Sequence, residues 1–214
     1  MSTGFNNLPT FKYYPGASLP SKENEIFRQS DLTCQICKTA TGWAYAGLIY
    51  GGWDEEYDDV DLEAGICPWC IANGNAGKKH KAIFNPVGTV KLSFFFPARS
   101  MHHNHLGDDE GVPKVVFQTI RELTPGIRSR QESKWFFHCN DAGIYLGRVG
   151  KAELDNYGEA ATNVIKQGIA KMFRTDDQDE LARLLSQLNR QEGPSAYLFR
   201  CTRCCIYGGF SDLG

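Results

Sequence analysis

The sequence predicts a mixed α/β (α+β) fold, in which a region of cysteine knuckles packs on a mixed β-sheet with helices towards the C-terminus. Three observations predict it. Short aromatic and apolar runs bounded by Gly and Pro are typical of strands. Residues 178–191 repeat leucine at the i, i+3, i+4, i+7 spacing of an amphipathic helix. Three cysteine pairs have the Cys-x-x-Cys spacing that is typical of metal-binding knuckles.

The N-terminal half is expected to contain short strands and one helix. Residues 11–14 are rich in Phe and Tyr and precede a Pro-Gly pair, which predicts an edge strand and a turn. The aromatic segment 42–50 predicts one or two short strands, and residues 86–113 predict an irregular connection. Apolar residues at helical spacing predict a helix over 113–123, which the Pro-Gly pair at 125–126 ends.

The C-terminal half is expected to combine strands with helices. Asp177, with Glu180 three residues later, predicts a capping box at the start of the second helix. A Gly-Pro pair ends that helix. The predicted elements are strands over 135–139 and 144–146, helices over 151–173 and 178–191, and a strand over 196–201 with 206–207 as its hairpin partner.

Length and charge limit the organisation and the class of partner. The 214 residues are enough for one large domain or two small ones. We predict an N-terminal segment over 1–85 that holds the first two knuckles and an α/β region over 86–214 that holds the last one, together forming one compact unit. The net charge of −2 argues against a general nucleic-acid binder, which usually has a strongly basic face.

Hydropathy and the first residues indicate a cytoplasmic protein. The mean hydropathy is −0.38, and no run approaches the roughly 18 apolar residues that a membrane span needs. The chain start has neither the basic nor the apolar part of a secretory signal, so we expect no membrane association. Eight cysteines in such a chain are more typical of metal ligands or redox groups than of disulfides.

Two cysteine pairs predict a zinc site. Cys34 with Cys37 and Cys67 with Cys70 are separated by 29 residues. The short spacer within a pair lets both thiolates reach one ion, and two pairs complete a tetrahedron with no open position, as in structural zinc sites. The alternative is a redox dithiol at Cys67-Pro-Trp-Cys70, which would need a preceding apolar strand that residues 61–66 do not predict.

A second metal site is predicted around the third pair, Cys201 and Cys204. Cys139, together with His138 or Cys205, would complete it if the fold brings them together. In the alternative interpretation, Cys139 and Cys205 are small buried apolar residues. No Gly-rich phosphate loop, HExxH or GxSxG motif is present, so we assign no catalytic residues and expect a protein that is not an enzyme.

An acidic segment lies between the first two pairs. No Lys or Arg occurs from residue 39 to residue 77, although a zinc-ribbon reader of nucleic acid would need cations beside its knuckles. The segment is either a solvated loop or a surface that binds a basic partner. Its seven carboxylates are Asp54, Glu55, Glu56, Asp58, Asp59, Asp61 and Glu63.

Several motifs resemble those of the bacterial CbrC family, which is known for a link to colicin tolerance. The most specific is Cys67-Pro-Trp-Cys-Ile-Ala-Asn-Gly74, which is similar to the family's C-P-W-C-I-A-D-G signature. The other matching segments follow in the family's order: Leu8-Pro-x-Phe-Lys-Tyr-x-Pro15, Cys34-x-x-Cys37, Thr124-Pro-Gly126, Gln131-Glu132 with Trp135, His138-Cys-Asn-Asp-Ala142 and Tyr197-x-Phe199-x-Cys201-x-x-Cys204.

The resemblance implies zinc binding and a protective role against a protein toxin. Two positions depart from the family pattern: Gly143 replaces the second cysteine of C-x-D-A-C, and Cys205 stands where Gly is more usual. Cys205 therefore either substitutes for the missing cysteine or the second site is absent. We expect an immunity or tolerance factor that neutralises a bacteriocin-like toxin. The alternatives are a zinc-ribbon regulator or nucleic-acid-associated protein, and a thiol oxidoreductase.

Overall fold

The structure contains both helices and β-strands, which confirms the predicted mixed α+β class. Within the described residues, no helix is both long and apolar enough to cross a membrane. The chain forms two units, of which one combines residues 1–104 and 113–128 and the other combines residues 105–112 and 129–214. The chain therefore passes between the units three times. The structure is a computed structural model that describes residues 7–19, 26–50, 65–87, 105–107, 110–129 and 134–213.

The first unit is built on a short antiparallel sheet and three helices. Its two strands pair so that Phe27 lies opposite Tyr45. The Tyr45 ring packs edge-on against Phe84 with 5.2 Å between centroids, and Phe27 stacks on Phe11 at 5.7 Å. These four buried rings form an aromatic core. The elements of the unit are β1 (Phe27–Gln29), β2 (Trp43–Tyr45), α1 (Pro68–Ala72), α2 (Asn75–His80) and α3 (Lys114–Leu123).

The edge strand predicted over 11–14 is wrong. The backbone N–H of Tyr14 donates to the carbonyl oxygen of Phe11 at 3.2 Å, so the chain turns here instead of extending. A short 3-10 helix follows at Pro15–Ser18. Phe11, Tyr13 and Tyr14 are all buried, whereas an edge strand would alternate buried and exposed side chains. The aromatic run therefore belongs to the core as a turn.

The predicted helix over 113–123 is confirmed as α3, and a buried amide holds its C-terminal end. Asn85 is 1% exposed. Its side-chain nitrogen donates to the carbonyl oxygens of Ile120, Thr124 and Pro125 at 3.0, 2.9 and 3.3 Å. Its side-chain oxygen accepts from the N–H of Ile127 at 3.3 Å. One side chain thus satisfies carbonyls that a helix end leaves without partners.

The second unit has two three-stranded sheets and three helices. One sheet has the order β3-β4-β5, and the other has the order β6-β7-β8 and is antiparallel throughout. The predicted hairpin between the last two strands is confirmed. The elements are β3 (His105–Gly107), β4 (Trp135–His138), β5 (Asp141–Ala142), β6 (Ile144–Val149), α4 (Lys151–Tyr157), α5 (Glu159–Phe173), α6 (Gln178–Ser186), β7 (Ala196–Arg200) and β8 (Tyr207–Ser211).

The predictions for residues 105–107 and 151–173 need correction. Residues 105–107 are not irregular but form β3, which pairs in parallel with β4; three residues are too few to show a strand periodicity. The helix predicted over 151–173 is two helices, because Gly158 adopts a φ of 87° and separates α4 from α5. A φ in that range is outside the helical region and is accessible mainly to glycine.

The last helix, α6, begins as predicted but ends earlier, at Ser186. The Asp177 side chain caps it by accepting from the N–H groups of Asp179 and Glu180 at 2.9 and 3.3 Å. The Glu180 carboxylate accepts from the Thr175 hydroxyl instead of closing the capping box. The predicted leucine face is buried in one apolar cluster with α4, α5 and the sheet. This cluster comprises Val149, Leu154, Ala161, Ile165, Ile169, Leu181, Leu184, Leu185, Leu188, Ala196 and Leu198.

Replacing Asn85 tests its role in the first unit. Asn85→Ala is expected to lower the free energy of unfolding by about 2–4 kcal/mol, because it removes several buried hydrogen bonds and leaves carbonyl oxygens without a donor. Asn73→Ala is the matched control, since Asn73 is exposed and its side chain accepts one bond, from the N–H of Asn75. Urea unfolding measures both variants. Equal losses in the two would contradict this role.

Candidate metal centres

The first cysteine pair lies in a tight loop of the first unit. The bridge between Thr33 and Ala40 closes the loop. Within it the N–H of Lys38 donates to the carbonyl oxygen of Cys34 at 2.8 Å, and Lys38 takes a left-handed φ of 55°. This turn brings the side chains of Cys34 and Cys37 to the same side.

The second pair lies at the start of α1. Cys67 is the extended residue before the helix and Pro68 is the first helical residue, a position that suits proline because no N–H partner is needed there. Cys70 follows within the first turn. Two backbone hydrogen bonds hold this segment beside the first pair and β2. The N–H of Gln35 donates to the carbonyl oxygen of Gly65 at 3.0 Å, and the N–H of Tyr45 donates to the carbonyl oxygen of Ile66 at 2.7 Å.

The two pairs converge on one point, which we call the four-cysteine centre (Cys34, Cys37, Cys67 and Cys70). Their four sulfur atoms all lie within 4.8 Å of one another. The sulfurs of Cys34 and Cys70 are 3.8 Å apart, and those of Cys37 and Cys67 are 3.9 Å apart. Four thiolates around a tetrahedral ion at about 2.3 Å would be about 3.8 Å apart. A disulfide would need about 2.05 Å, and all eight cysteines are free. The centre can therefore hold a metal ion.

The thiol pKa values in the four-cysteine centre are shifted in opposite directions. Hydrogen bonds from the Cys67 and Cys70 side chains lower the pKa of Cys34, and the backbone N–H groups of Ile36 and Cys67 also donate to its sulfur at 3.4 and 3.3 Å. The same interaction with Cys34 raises the pKa of Cys67 to about 12 and raises that of Cys70. Because a metal ion binds the thiolate form of cysteine, its binding would release the thiol protons of the centre.

The third pair meets His138, the last residue of β4, and Cys139, which follows it, in the second unit. His138 and Cys139 lie where β4 turns into β5, and Cys139 has a left-handed φ of 54° in that turn. Cys201 and Cys204 lie in the turn between β7 and β8, which the bond from the N–H of Cys201 to the carbonyl oxygen of Ile206 closes at 2.8 Å. The fold thus brings two strand turns together.

These four residues form what we call the histidine–cysteine centre (His138, Cys139, Cys201 and Cys204). Their ligand atoms also lie within 4.8 Å of one another. The His138 Nδ1 atom is 3.1 Å from the sulfur of Cys139 and 3.3 Å from that of Cys204, and these two sulfurs are 3.7 Å apart. The set offers one imidazole and three thiols, which also suits a tetrahedral metal ion.

Burial and hydrogen bonds act in opposite directions on Cys201. Burial raises the pKa of its thiol, but hydrogen bonds from the backbone of Cys204 and Arg203 and from the side chains of His138 and Cys204 outweigh it and lower the pKa to about 6. The N–H of Arg203 lies 3.4 Å from the Cys201 sulfur. The knuckle backbone therefore stabilises a thiolate at the position that is deepest in this centre.

Cys205 lies outside both centres, and the structure brings His138 to the fourth position instead. Cys205 has a left-handed φ of 63°, and both Cys139 and Cys205 are exposed, so the alternative of small buried residues does not hold. A side chain at Gly143 would require a local shift, because a Cβ there would lie 2.8 Å from the Phe136 ring.

Sequence reasoning missed the polar groups that support the centres. Backbone N–H donors to sulfur follow from the knuckle geometry, but a sequence does not show which sulfur receives them. A hydrogen bond of 2.9 Å from the Thr202 hydroxyl to the Asp141 carboxylate links the two turns of the histidine–cysteine centre. The two residues are 61 positions apart, so the sequence does not indicate that they are in contact. The acidic segment, residues 54–63, lies outside the described residues.

The comparisons with known proteins cover nearly the whole chain. A family model described as an uncharacterised protein family, UPF0167, matches residues 8–212. The chain belongs to the UPF0167 family. A UPF0167 protein of Mycobacterium bovis is 27% identical over 208 residues, which span 96% of this chain and 94% of the relative. A UPF0167 protein of Pseudomonas aeruginosa is 29% identical over 200 residues, which span 92% of each. No solved structure matches.

The UPF0167 match includes all the residues of both metal centres. The redox alternative for Cys67 and Cys70 would predict an isolated dithiol. Instead, the sulfurs that lie close to these two belong to Cys37 and Cys34. The four sulfurs therefore form one group that could hold a metal ion.

The left-handed backbone at Cys205 gives a testable consequence for this UPF0167 protein. Cys205→Gly is expected to raise the free energy of unfolding by about 1 kcal/mol, because glycine takes a positive φ without the clash of a Cβ. Cys205→Ala keeps the Cβ and is expected to leave the stability unchanged. Urea unfolding measures the stability of both variants. The same stability for Gly and Ala would show that the backbone there is unstrained.

Proposed function

We propose that this UPF0167 protein is a zinc protein in which one structural Zn²⁺ stabilises each unit, and that it acts by binding rather than by catalysis. The sulfur–sulfur distances of the four-cysteine centre, 3.8 and 3.9 Å, carry the proposal. They match a tetrahedral Zn²⁺ with Zn–S bonds of about 2.3 Å. The histidine–cysteine centre supports a second ion with the same geometry.

The ligand chemistry favours zinc. Thiolates and imidazole are the soft ligands of tetrahedral zinc, whereas calcium and magnesium take oxygen ligands. Four protein ligands in each centre fill the coordination sphere. A metal without an open position has no place for substrate or for an activated water, which supports a structural role and a protein that is not an enzyme.

A zinc ion in the four-cysteine centre would join parts of the chain that are distant in sequence. Cys37 and Cys67 are 30 residues apart, so the ion closes a long loop. Because the site would not exist in the unfolded chain, the binding free energy of the ion would add to the free energy of folding. Structural zinc contributes about 10–16 kcal/mol in small zinc-finger peptides. The first unit is therefore proposed to depend on zinc for folding.

Metal analysis tests the proposal. Protein purified without added zinc is expected to contain two equivalents of zinc by inductively coupled plasma mass spectrometry. Cys67→Ser is expected to lose one equivalent and to unfold or aggregate, because it removes a buried ligand from the four-cysteine centre. Cys205→Ser is the matched control, since this cysteine lies outside both centres, and it is expected to keep both equivalents. A folded, metal-free wild type would refute the proposal.

The same analysis separates the two centres. The double variant Cys201→Ser/Cys204→Ser is expected to retain one equivalent of zinc, held by the four-cysteine centre. A stoichiometry that does not change in this variant would remove the second zinc from the proposal and leave the first.

We further propose that the protein binds a basic protein partner, such as a nuclease-type bacterial toxin. Seven carboxylates within residues 54–63, with no Lys or Arg from 39 to 77, supply an acidic segment. A nuclease needs a basic cleft to hold phosphates, and carboxylates can occupy that cleft in place of nucleic acid. The resemblance to the CbrC family also supports a role in toxin tolerance.

The proposed location is the bacterial cytoplasm, whose reducing conditions suit eight free cysteines.

Charge reversal tests this binding role. The wild type, used as bait in an extract of its own cells at low salt, is expected to retain a basic protein identified by mass spectrometry. The variant in which Lys replaces Glu55, Glu56, Asp58 and Asp59 is expected to capture that protein more slowly and with a flatter salt dependence in stopped-flow binding at two salt concentrations, because charge complementarity mainly speeds association. Zinc content is the control for folding. Equal capture rates for both baits would contradict the role of the segment. Salt-dependent retention on DNA or reduction of insulin would instead favour the two alternative functions.

A further inference from the structure

Three of the four cysteines of the four-cysteine centre are buried. Cys34, Cys67 and Cys70 are 3%, 1% and 1% exposed, and only Cys37 is exposed. Each close sulfur pair in this centre therefore includes at least one buried cysteine. A reagent in solution reaches only one sulfur of the four directly.

The histidine–cysteine centre is open on one side. Cys201 is buried, but Cys139 and Cys204 are both exposed, and their sulfurs are 3.7 Å apart. Both lie in turns rather than within a sheet or a helix. A disulfide needs an S–S distance of about 2.05 Å, so a shift of less than about 2 Å in two surface turns would join them. No other close sulfur pair in the two centres is exposed on both members.

We propose that Cys139 and Cys204 form a peroxide-reactive modification site, whose oxidation to a disulfide releases the metal of the histidine–cysteine centre and leaves the four-cysteine centre loaded. The proposal rests on the zinc occupancy proposed above. Zinc-bound thiolates keep nucleophilic character, and reactivity towards oxidants follows thiolate character together with exposure. Exposure is the property in which the two centres differ.

The reaction takes two steps. One thiolate, at Cys204 or Cys139, attacks an oxygen of hydrogen peroxide; the O–O bond breaks, the sulfur becomes a sulfenic acid, and the other oxygen leaves as hydroxide. The second thiolate then attacks the sulfenic sulfur, the S–S bond forms, and hydroxide leaves. In sum, two thiolates, one peroxide and two protons give one disulfide and two waters. The two sulfurs are oxidised and the two peroxide oxygens are reduced.

Metal release follows from the ligand count. The disulfide withdraws two of the four ligands and leaves His138 and Cys201. Two ligands do not hold zinc against dilution, whereas all four ligands of the four-cysteine centre remain. The modification would also tie the β4–β5 turn to the β7–β8 turn by a covalent bond in place of a metal. Thiol reduction in the presence of zinc would restore the original state.

The experiment uses the full chain loaded with two equivalents of zinc. One equivalent of hydrogen peroxide is added, zinc release is followed with the dye 4-(2-pyridylazo)resorcinol, and disulfides are mapped by peptide mass spectrometry. The expected result is release of one equivalent at least tenfold faster than the second, with a Cys139–Cys204 cross-link. Dithiothreitol and zinc are expected to reverse it. The Cys201→Ser/Cys204→Ser variant, which keeps the zinc of the four-cysteine centre, is expected to show no fast release.

Cys205→Ser is the matched control, because Cys205 is an exposed thiol beside Cys204 that lies outside the centre. It is expected to release zinc at the wild-type rate. A cross-link to Cys205, loss of both zinc ions at the same rate, or no release would each overturn the inference and leave zinc binding standing. Absence of zinc from the histidine–cysteine centre before peroxide is added would overturn the second zinc and the inference together.

Discussion

Four cysteine sulfurs packed within 4.8 Å impose the constraint on which the first unit depends. Neighbouring thiolates repel one another in a poorly solvated site, and four thiols satisfy few of one another's hydrogen-bonding needs. A divalent cation would remove this repulsion, because each thiolate would bond to it. The surrounding backbone is already arranged for this outcome, since N–H groups of Ile36 and Cys67 are directed at the Cys34 sulfur.

The neighbourhood of that centre is continuous with the aromatic core. The N–H of Tyr45 bonds to Ile66, directly before Cys67, while its ring packs on Phe27 and Phe84. Burial raises the pKa of the Tyr45 hydroxyl, which donates to the carbonyl oxygen of Leu48 and so remains neutral. The four-cysteine centre and the aromatic core therefore both contact the same strand, β2.

The sequence predicts those parts of the two centres in which the residues are close together along the chain. Two-residue spacing fixes the geometry of a knuckle, so the ligands of the four-cysteine centre could be grouped from their pattern alone. The choice of His138 over Cys205 could not be made in this way, because it depends on which turns meet and on the backbone direction at residue 205. When the residue after a knuckle has a positive φ, the backbone conformation of that turn sets the direction of its side chain, whichever residue type stands there.

The same distinction applies to the fold. The leucine face of α6 is long and periodic, so it was predicted together with its Asp177 cap. A strand of three residues such as β3 has no period to detect, and it forms because β4 offers a partner from elsewhere in the chain. The aromatic run at 11–14 has the composition of a strand, but core packing determines its conformation. Gly158 could not be identified as a break because an isolated glycine is tolerated in many helices.

The repeated passage of the chain between the two units has a consequence for dissecting the protein. Residues 105–112 belong with the C-terminal part, although residues 113–128, which include α3, belong with the N-terminal part. Any single truncation point therefore deprives one fragment of a native segment: a cut before β3 removes α3 and its bonds to Asn85, and a cut after α3 removes the parallel neighbour of β4. Separate expression of the units would require joining the two segments of each unit in a new chain, because no single stop codon separates them.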